Sequence, residues 1–220
     1  MCASKHENVR RNRIRTIRVF QVLAGDRSSR SAGFLTAGRT TIRCALGENG
    51  ATRRKREGDR ATPIGAVRIL EWRMRPVQPA YARHGLNWRS VRTDEGWCDD
   101  PGSGAYNRQV RLPFLASHEV MFRLDGKYDV VGILDYNYPN TRRGLGSAIF
   151  FHICDDQYGA TAGCIAIPAR EFRKLLPRLA RKVRIEISTG SRRSRNPREL
   201  RLSPSGSLPR NRRSFPSTSS

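Results

Sequence analysis

The sequence predicts a β-rich α+β fold with a mixed or antiparallel sheet core and one main helix near its C-terminal end. Three observations carry this. Short runs rich in Val, Ile and Phe recur along the chain, separated by polar Gly- and Pro-containing stretches. Only one segment, PAREFRKLLPRLAR from Pro168, has apolar residues at helical spacing. A chain of 220 residues suits one domain with tails.

The elements follow in order. Residues 1–18 carry six basic side chains and one Glu and read as a basic, disordered N-terminal segment. Ile14, Val19 and Val22 lie in a first β-prone stretch. Residues 39–46, RTTIRCAL, read as a second strand, and residues 48–62 as a polar loop. Gly65 to Glu71 alternates as a third strand. Residues 73–126 form a long irregular region rich in Pro, Gly, Arg, Trp and Tyr, a length that usually brings function or small elements of its own. Tyr128 to Tyr136 reads as a buried strand, and residues 147–153 and 163–167 as two more.

Pro168 then opens the helix, since proline suits a first helical position. Phe172, Leu175, Leu176 and Leu179 share one face, and Pro177 kinks the helix or ends it early. Val183 to Ile187 alternates as a seventh strand. Residues 190–220, with eight Arg and one Glu, read as an Arg/Ser/Pro-rich disordered tail, leaving 19–189 as the folded domain.

The formal net charge is +23, and 12 of those charges lie in the two tails. A basic chain favours anionic partners such as an acidic polymer. The arginines lack the aromatic interleaving that stacks bases, so no nucleic-acid partner is expected. The longest apolar run falls far short of the ~20 residues of a membrane span. The N-terminal 20 residues lack the apolar stretch of about 7–15 residues that a secretory signal needs. The five cysteines are odd in number and form no CxxC pair, which argues against both a disulfide framework and a local zinc site.

The chemistry concentrates in SAIFFHICDDQYGATAGCIAI, residues 147–167. An apolar run ends in His152. Twelve residues on, Thr161-Ala-Gly163-Cys164 leads into a second apolar run. Two buried strands joined by a Gly-containing loop place an imidazole and a thiol near neighbouring strand ends. A free thiol has a pKa of ~8.5, so a cysteine nucleophile needs a nearby base, and His152 is the candidate. Gly163 allows a sharp turn before Cys164. The N–H groups of Gly163 and Cys164 are candidates to hold an oxyanion, a role worth roughly 3–4 kcal/mol per donor.

This segment resembles the catalytic segment of the L,D-transpeptidase catalytic domain family, also called YkuD-like. A second motif, Asp59-Arg-Ala-Thr62-Pro63-Ile-Gly65, looks like the Thr-Pro-x-Gly element that precedes an early strand of that domain, and Gly-Trp-Cys-Asp-Asp-Pro at 96–101 is similar to some bacterial members. The resemblance covers roughly residues 40–188. It implies a YkuD-like sandwich and a cysteine acyl transferase that uses no cofactor and no metal. It also implies peptidoglycan stem peptides as partner. Cys164 is the implied nucleophile, His152 the base, and the Ile153 carbonyl the group orienting the imidazole, with Thr161 and Gly163 shaping the turn. Attack on the third stem residue would release D-Ala and leave a thioester. An amine acceptor then gives a 3→3 cross-link, whereas water gives a carboxypeptidase or wall hydrolase. Such an enzyme works in the periplasm or cell wall. Two positions depart from the family pattern: Ala162 stands where His usually precedes Gly-Cys, and Ala166 where Arg or Asn is common. A different class of reading is a catalytically degenerate, basic binding module for an anionic polymer.

Other polar and aromatic residues have weaker claims. Cys154 shares a strand face with His152 and is expected to pack. A zinc site of His152, Cys154, Cys164 and Asp155 or Asp156 is the least favoured alternative. Asp99 and Asp100 read as a solvated loop, His84 and His118 as surface residues, and Arg142-Arg143 as a charged turn. Trp88 and Trp97 either wall a groove or anchor a core.

Overall fold

The computed structural model describes residues 16–26, 28–76 and 86–190. The two tails beyond these, and His84, lie outside the described residues. The described chain is strand-rich with one short helix, as its alternating apolar runs require. Its strands are β1 (Ile17–Ala24), β2 (Ala32–Ala37), β3 (Thr40–Ala45), β4 (Ala51–Thr52), β5 (Thr62–Pro63), β6 (Gly65–Met74) and β7 (Trp88–Ser90). There follow β8 (Glu95–Cys98), β9 (Arg108–Arg111), β10 (His118–Val120), β11 (Val130–Leu134), β12 (Phe150–Cys154), β13 (Ile165–Pro168) and, after the helix, β14 (Leu179–Thr189).

Nine strands form one mixed sheet in the order β11-β12-β13-β3-β2-β1-β14-β6-β7. The sheet closes, because β6 also pairs with β11. The ten-residue β6 makes this possible. Gly65 to Arg68 pair with Ile187 to Arg184 of β14, whereas Ile69 to Met74 pair with Leu134 to Val130 of β11. The expected sandwich is therefore corrected to a barrel-like sheet: with both edges of β6 hydrogen-bonded, the sheet curls onto itself and leaves no open seam there. A separate three-stranded sheet, β10-β8-β9, forms from the long irregular region.

Alternation decides what each strand buries. In β1 the burial pattern puts Phe20, Val22 and Ala24 inside. They join Leu35, Trp72, Phe151, Ile165, Ile167 and Ile185 in the main core. The rings of Phe20 and Trp72 lie 5.5 and 5.9 Å from that of Phe151. Helix α1 (Ala169–Leu175) adds Phe172 to the same cluster, 5.4 Å from Trp72. The proline reading is adjusted in detail. Pro168 is the cap residue at the end of β13, and Pro177 sits in a 3-10 turn, Leu176–Arg178, that ends the helix. A proline lacks the N–H that a further helical turn requires.

The smaller sheet is tied to the barrel by charge as well as apolar contact. Arg73 of β6 pairs with Glu95 of β8, and both side chains are almost fully buried. A second apolar cluster, with Val91, Trp97, Met121, Tyr128, Val131, Ile133, Phe150 and Cys164, lies on the opposite face of β11 and β12 from the main core. Trp97 is thus a core anchor, and Trp88 packs half-buried against the main core. No helix among the described residues is long and apolar enough to cross a membrane.

Candidate active site

His152 and Cys164 come together because β12 and β13 run parallel as neighbours, with Phe151 opposite Ile165 and His152 opposite Ala166. Cys164 enters β13 level with Phe150. Residues alternate across a strand, so Phe150 and His152 face one side of β12 while Phe151 and Ile153 face the main core. Both functional side chains line one cavity of about 400 Å³. Each is only 6% exposed.

The sulfur is held by backbone. Phe150 N–H donates to Sγ at 3.3 Å, and the thiol donates to the Ala148 carbonyl at 3.2 Å. Ala148 adopts a left-handed conformation, φ +49°, rare for a residue with a Cβ. Its own N–H is anchored on Asn107 Oδ1 at 3.1 Å, and the same oxygen accepts from the Trp97 indole at 2.9 Å. Asn107 is 2% exposed and also left-handed, φ +55°, which Asn tolerates better than most residues. Backbone strain of this kind persists only where the surroundings enforce it.

The loop before Cys164 is fixed by two threonines. Thr161 Oγ1 accepts from Gly163 N–H at 3.2 Å and donates to the Cys164 carbonyl at 2.8 Å. Thr62 Oγ1 accepts from Gly47 N–H at 2.8 Å and reaches the same carbonyl at 3.5 Å. The two sequence motifs therefore meet at one backbone oxygen. They meet closely: Gly163 has φ +136°, and a Cβ there would lie 2.9 Å from the Ala61 carbonyl. Of the two expected oxyanion donors, the Gly163 N–H is engaged by Thr161.

His152 Nδ1 lies 2.9 Å from the Ile153 carbonyl oxygen. In the neutral ring this places the proton on Nδ1 and the lone pair on Nε2. Burial pushes the imidazole pKa down to about 4, helped by the charges of Arg123 and Lys127, while hydrogen bonding to the backbone at Ile153 and Lys127 works the other way. Burial pushes the Cys164 thiol up to about 12. Glu119 adds to that rise, whereas the Phe150 N–H and the Lys55 charge oppose it. Both shifts favour a neutral thiol and a neutral imidazole over a thiolate–imidazolium pair at neutral pH.

Several residues that line the cavity were not singled out from the sequence, namely Lys55, Glu57, Glu119, Arg123 and Lys127. Lys55 is 7% exposed and pairs with Asp59 of the Thr-Pro-x-Gly motif. Glu57 Oε2 accepts from the Ser147 hydroxyl at 2.7 Å and from Tyr106. A buried Lys in a run of exposed charges leaves no periodicity signal. Cys154 lines the cavity too, half-exposed, with its thiol pushed up to about 12 by burial. Asp99 also lines the cavity, whereas Asp100 accepts from Gly102 N–H in a turn. Arg142 and Arg143 lie in an exposed turn, and Arg143 donates to the Gly102 carbonyl. His118 is half-buried on β10, its Nδ1 2.7 Å from the Ala116 carbonyl. Among the described residues, no group of three His, Cys, Asp or Glu side chains is arranged to hold a metal ion.

A strand-rich barrel that brings a buried thiol and imidazole into one cavity defines a cysteine–histidine site. The chain belongs to the L,D-transpeptidase catalytic domain family, whose model matches residues 25–187. Among solved structures it is similar to Bd1075 from Bdellovibrio bacteriovorus, at 14% identity and a TM-score of 0.40, covering 78% of this chain and 48% of that one. The chain thus spans about half the length of that protein. No curated protein matches it.

Proposed function

We propose that this protein is an L,D-transpeptidase that acts on peptidoglycan stem peptides through a Cys164 thioester. The observation that carries this reading is the cavity shared by Cys164 and His152, with the imidazole fixed by the Ile153 carbonyl so that Nε2 is the free base. Membership of the family supplies the substrate class.

In this reading the thiol turns from the Ala148 carbonyl to the imidazole when substrate binds. As Sγ attacks the carbonyl of the third stem residue, its proton passes to His152 Nε2. The nascent thiolate keeps the Phe150 N–H. The Cys164 N–H is the first donor for the tetrahedral oxyanion, and Gly163 N–H joins it when the Thr161 hydroxyl releases it. The intermediate collapses by breaking the bond to the D-Ala nitrogen, which takes the proton from His152 and leaves. The thioester then meets an amine from a second stem. That amine attacks the thioester carbonyl and gives a proton to His152, the C–S bond breaks as the new amide forms, and the proton returns to sulfur. Starting from two neutral groups leaves charge separation to the substrate-bound state.

The test is incubation with a disaccharide-tetrapeptide, followed by mass spectrometry of the products, beside Cys164→Ala. The expected result is D-Ala release and a cross-linked dimer made only by the unmutated protein. Release of D-Ala with no dimer would reassign the acceptor to water, and no release from any stem peptide would remove the reading.

A further inference from the structure

We infer that Tyr128 is a positioning residue for the reaction: its ring holds the His152 imidazole in its working orientation. This rests on the assignment of His152 as the base.

Tyr128 lies in the turn two residues before β11 and is 6% exposed. Its ring centroid lies 5.2 Å from that of His152 at an interplanar angle of 71°, and 6.1 Å from that of Phe150 at 86°. Both contacts are edge-to-face arrangements, the geometry in which aromatic pairs attract beyond simple area burial. Tyr128 thus touches the base on one side and, on the other, the residue whose N–H holds the nucleophile. Trp97 continues the row, 5.3 Å from Phe150 at 88°.

Backbone hydrogen bonding at Ile153 and Lys127 holds the imidazole by its edge and leaves the ring free to rock about that edge. A further contact against the ring removes the rocking, and Tyr128 supplies it. Tyr128 is itself held by two contacts that brace each other. Its hydroxyl donates to Glu119 Oε2 at 3.4 Å, the Arg123 guanidinium sits over its ring at 5.2 Å, and Arg123 pairs with Glu119 and Asp125. The groups that face His152 are thus Tyr128, the Arg123 and Lys127 charges and the Ile153 and Lys127 backbone. Nothing in the sequence signals this, because Tyr128 lies 24 residues before His152, in the turn that leads into β11.

The test compares Tyr128→Phe with Tyr128→Met, using two readouts. In stem-peptide turnover, Tyr128→Met should lower kcat by about 100-fold with KM little changed, the scale of a reactive group displaced by about 1 Å. Tyr128→Phe, which keeps the ring, should restore kcat to within about fivefold of the parent. In an NMR titration of the His152 ring, Tyr128→Met should raise the midpoint from its depressed value toward that of a free imidazole, and Tyr128→Phe should not. The titration needs no substrate, so it reports on Tyr128 even if stem peptides prove not to be the substrate. Equal kcat losses in the two variants would move the role to the hydroxyl and overturn the inference, as would an unmoved His152 midpoint in folded Tyr128→Met. Should Tyr128→Met fail to fold, Tyr128→Phe still decides: a folded Phe variant that loses about 100-fold in kcat contradicts a role for the ring.

Discussion

The two faces of β12 do different work within five residues. Phe151 and Ile153 point into the main core, where Phe151 meets the rings of Phe20, Trp72 and Phe172. Phe150 and His152 point the other way, into a smaller cluster that borders the cavity. The inner face is apolar throughout and needs only shape. The outer face mixes a buried imidazole, a thiol and strained backbone, and needs hydrogen bonds at each point. Strand alternation lets one segment anchor the barrel and line the cavity, so rigidity reaches His152 through its immediate neighbours.

Breaking the outer face should abolish activity while leaving the fold. Cys164→Ala removes the proposed nucleophile and should reduce turnover by at least about 10⁴-fold, as loss of a nucleophile does in comparable enzymes, with the melting temperature little changed. His152→Gln keeps a side chain of similar size but removes the proposed base. It should cost about 10²–10⁴-fold in kcat. Breaking the inner face should do the reverse. Phe151→Ala leaves a cavity among three aromatic rings and should cost about 3–5 kcal/mol in chemical denaturation, while the molecules that stay folded keep most of their kcat. A large kcat loss in folded Phe151→Ala would show that the two faces are not separable.

Acid sharpens the same contrast. His152 has a folded pKa of about 4 against an ordinary value of 6.5. The unfolded chain therefore binds the proton first, and the stability from the neutral imidazole is complete above about pH 6.5. It is lost progressively as pH falls toward about 4 and is gone below it. The loss is on the order of 3 kcal/mol for this residue. His152→Gln should flatten that part of the stability profile, as read by urea melts between pH 4 and 7.

What the sequence made legible follows the same division. The apolar runs at 65–71, 128–136, 147–153 and 163–167 announced their strands, because β-branched and aromatic residues in short runs have few other places to go. β2 escaped notice: Ala32–Ala37 has only Phe34 and Leu35 as large apolar residues, and its place between β1 and β3 depends on register rather than composition. The region after Met74 concealed four more strands: β7 is placed by its pairing with β6, and the sheet β10-β8-β9 is held by the buried Arg73–Glu95 pair and the Trp97–Asn107 hydrogen bond, none of which composition reveals. At the site, the residues adjacent in sequence to the thiol and imidazole were readable. Lys55, Asn107, Glu119 and Tyr128 were not, since each arrives from a distant segment and acquires meaning only beside Cys164 or His152. The barrel closure was hidden for a similar reason: nothing in residues 65–74 says that one strand pairs on both edges along its length.

The central claim is that Cys164 becomes covalently acylated. The most direct measurement is to quench the protein with acid during turnover of a stem tetrapeptide substrate, then map the adduct by mass spectrometry. The expected species is a thioester on Cys164 equal in mass to the substrate less D-Ala, with Cys44, Cys98 and Cys154 unmodified. Substrate turnover with Cys164 unmodified throughout, or an adduct on another cysteine that survives Cys164→Ala, would contradict it.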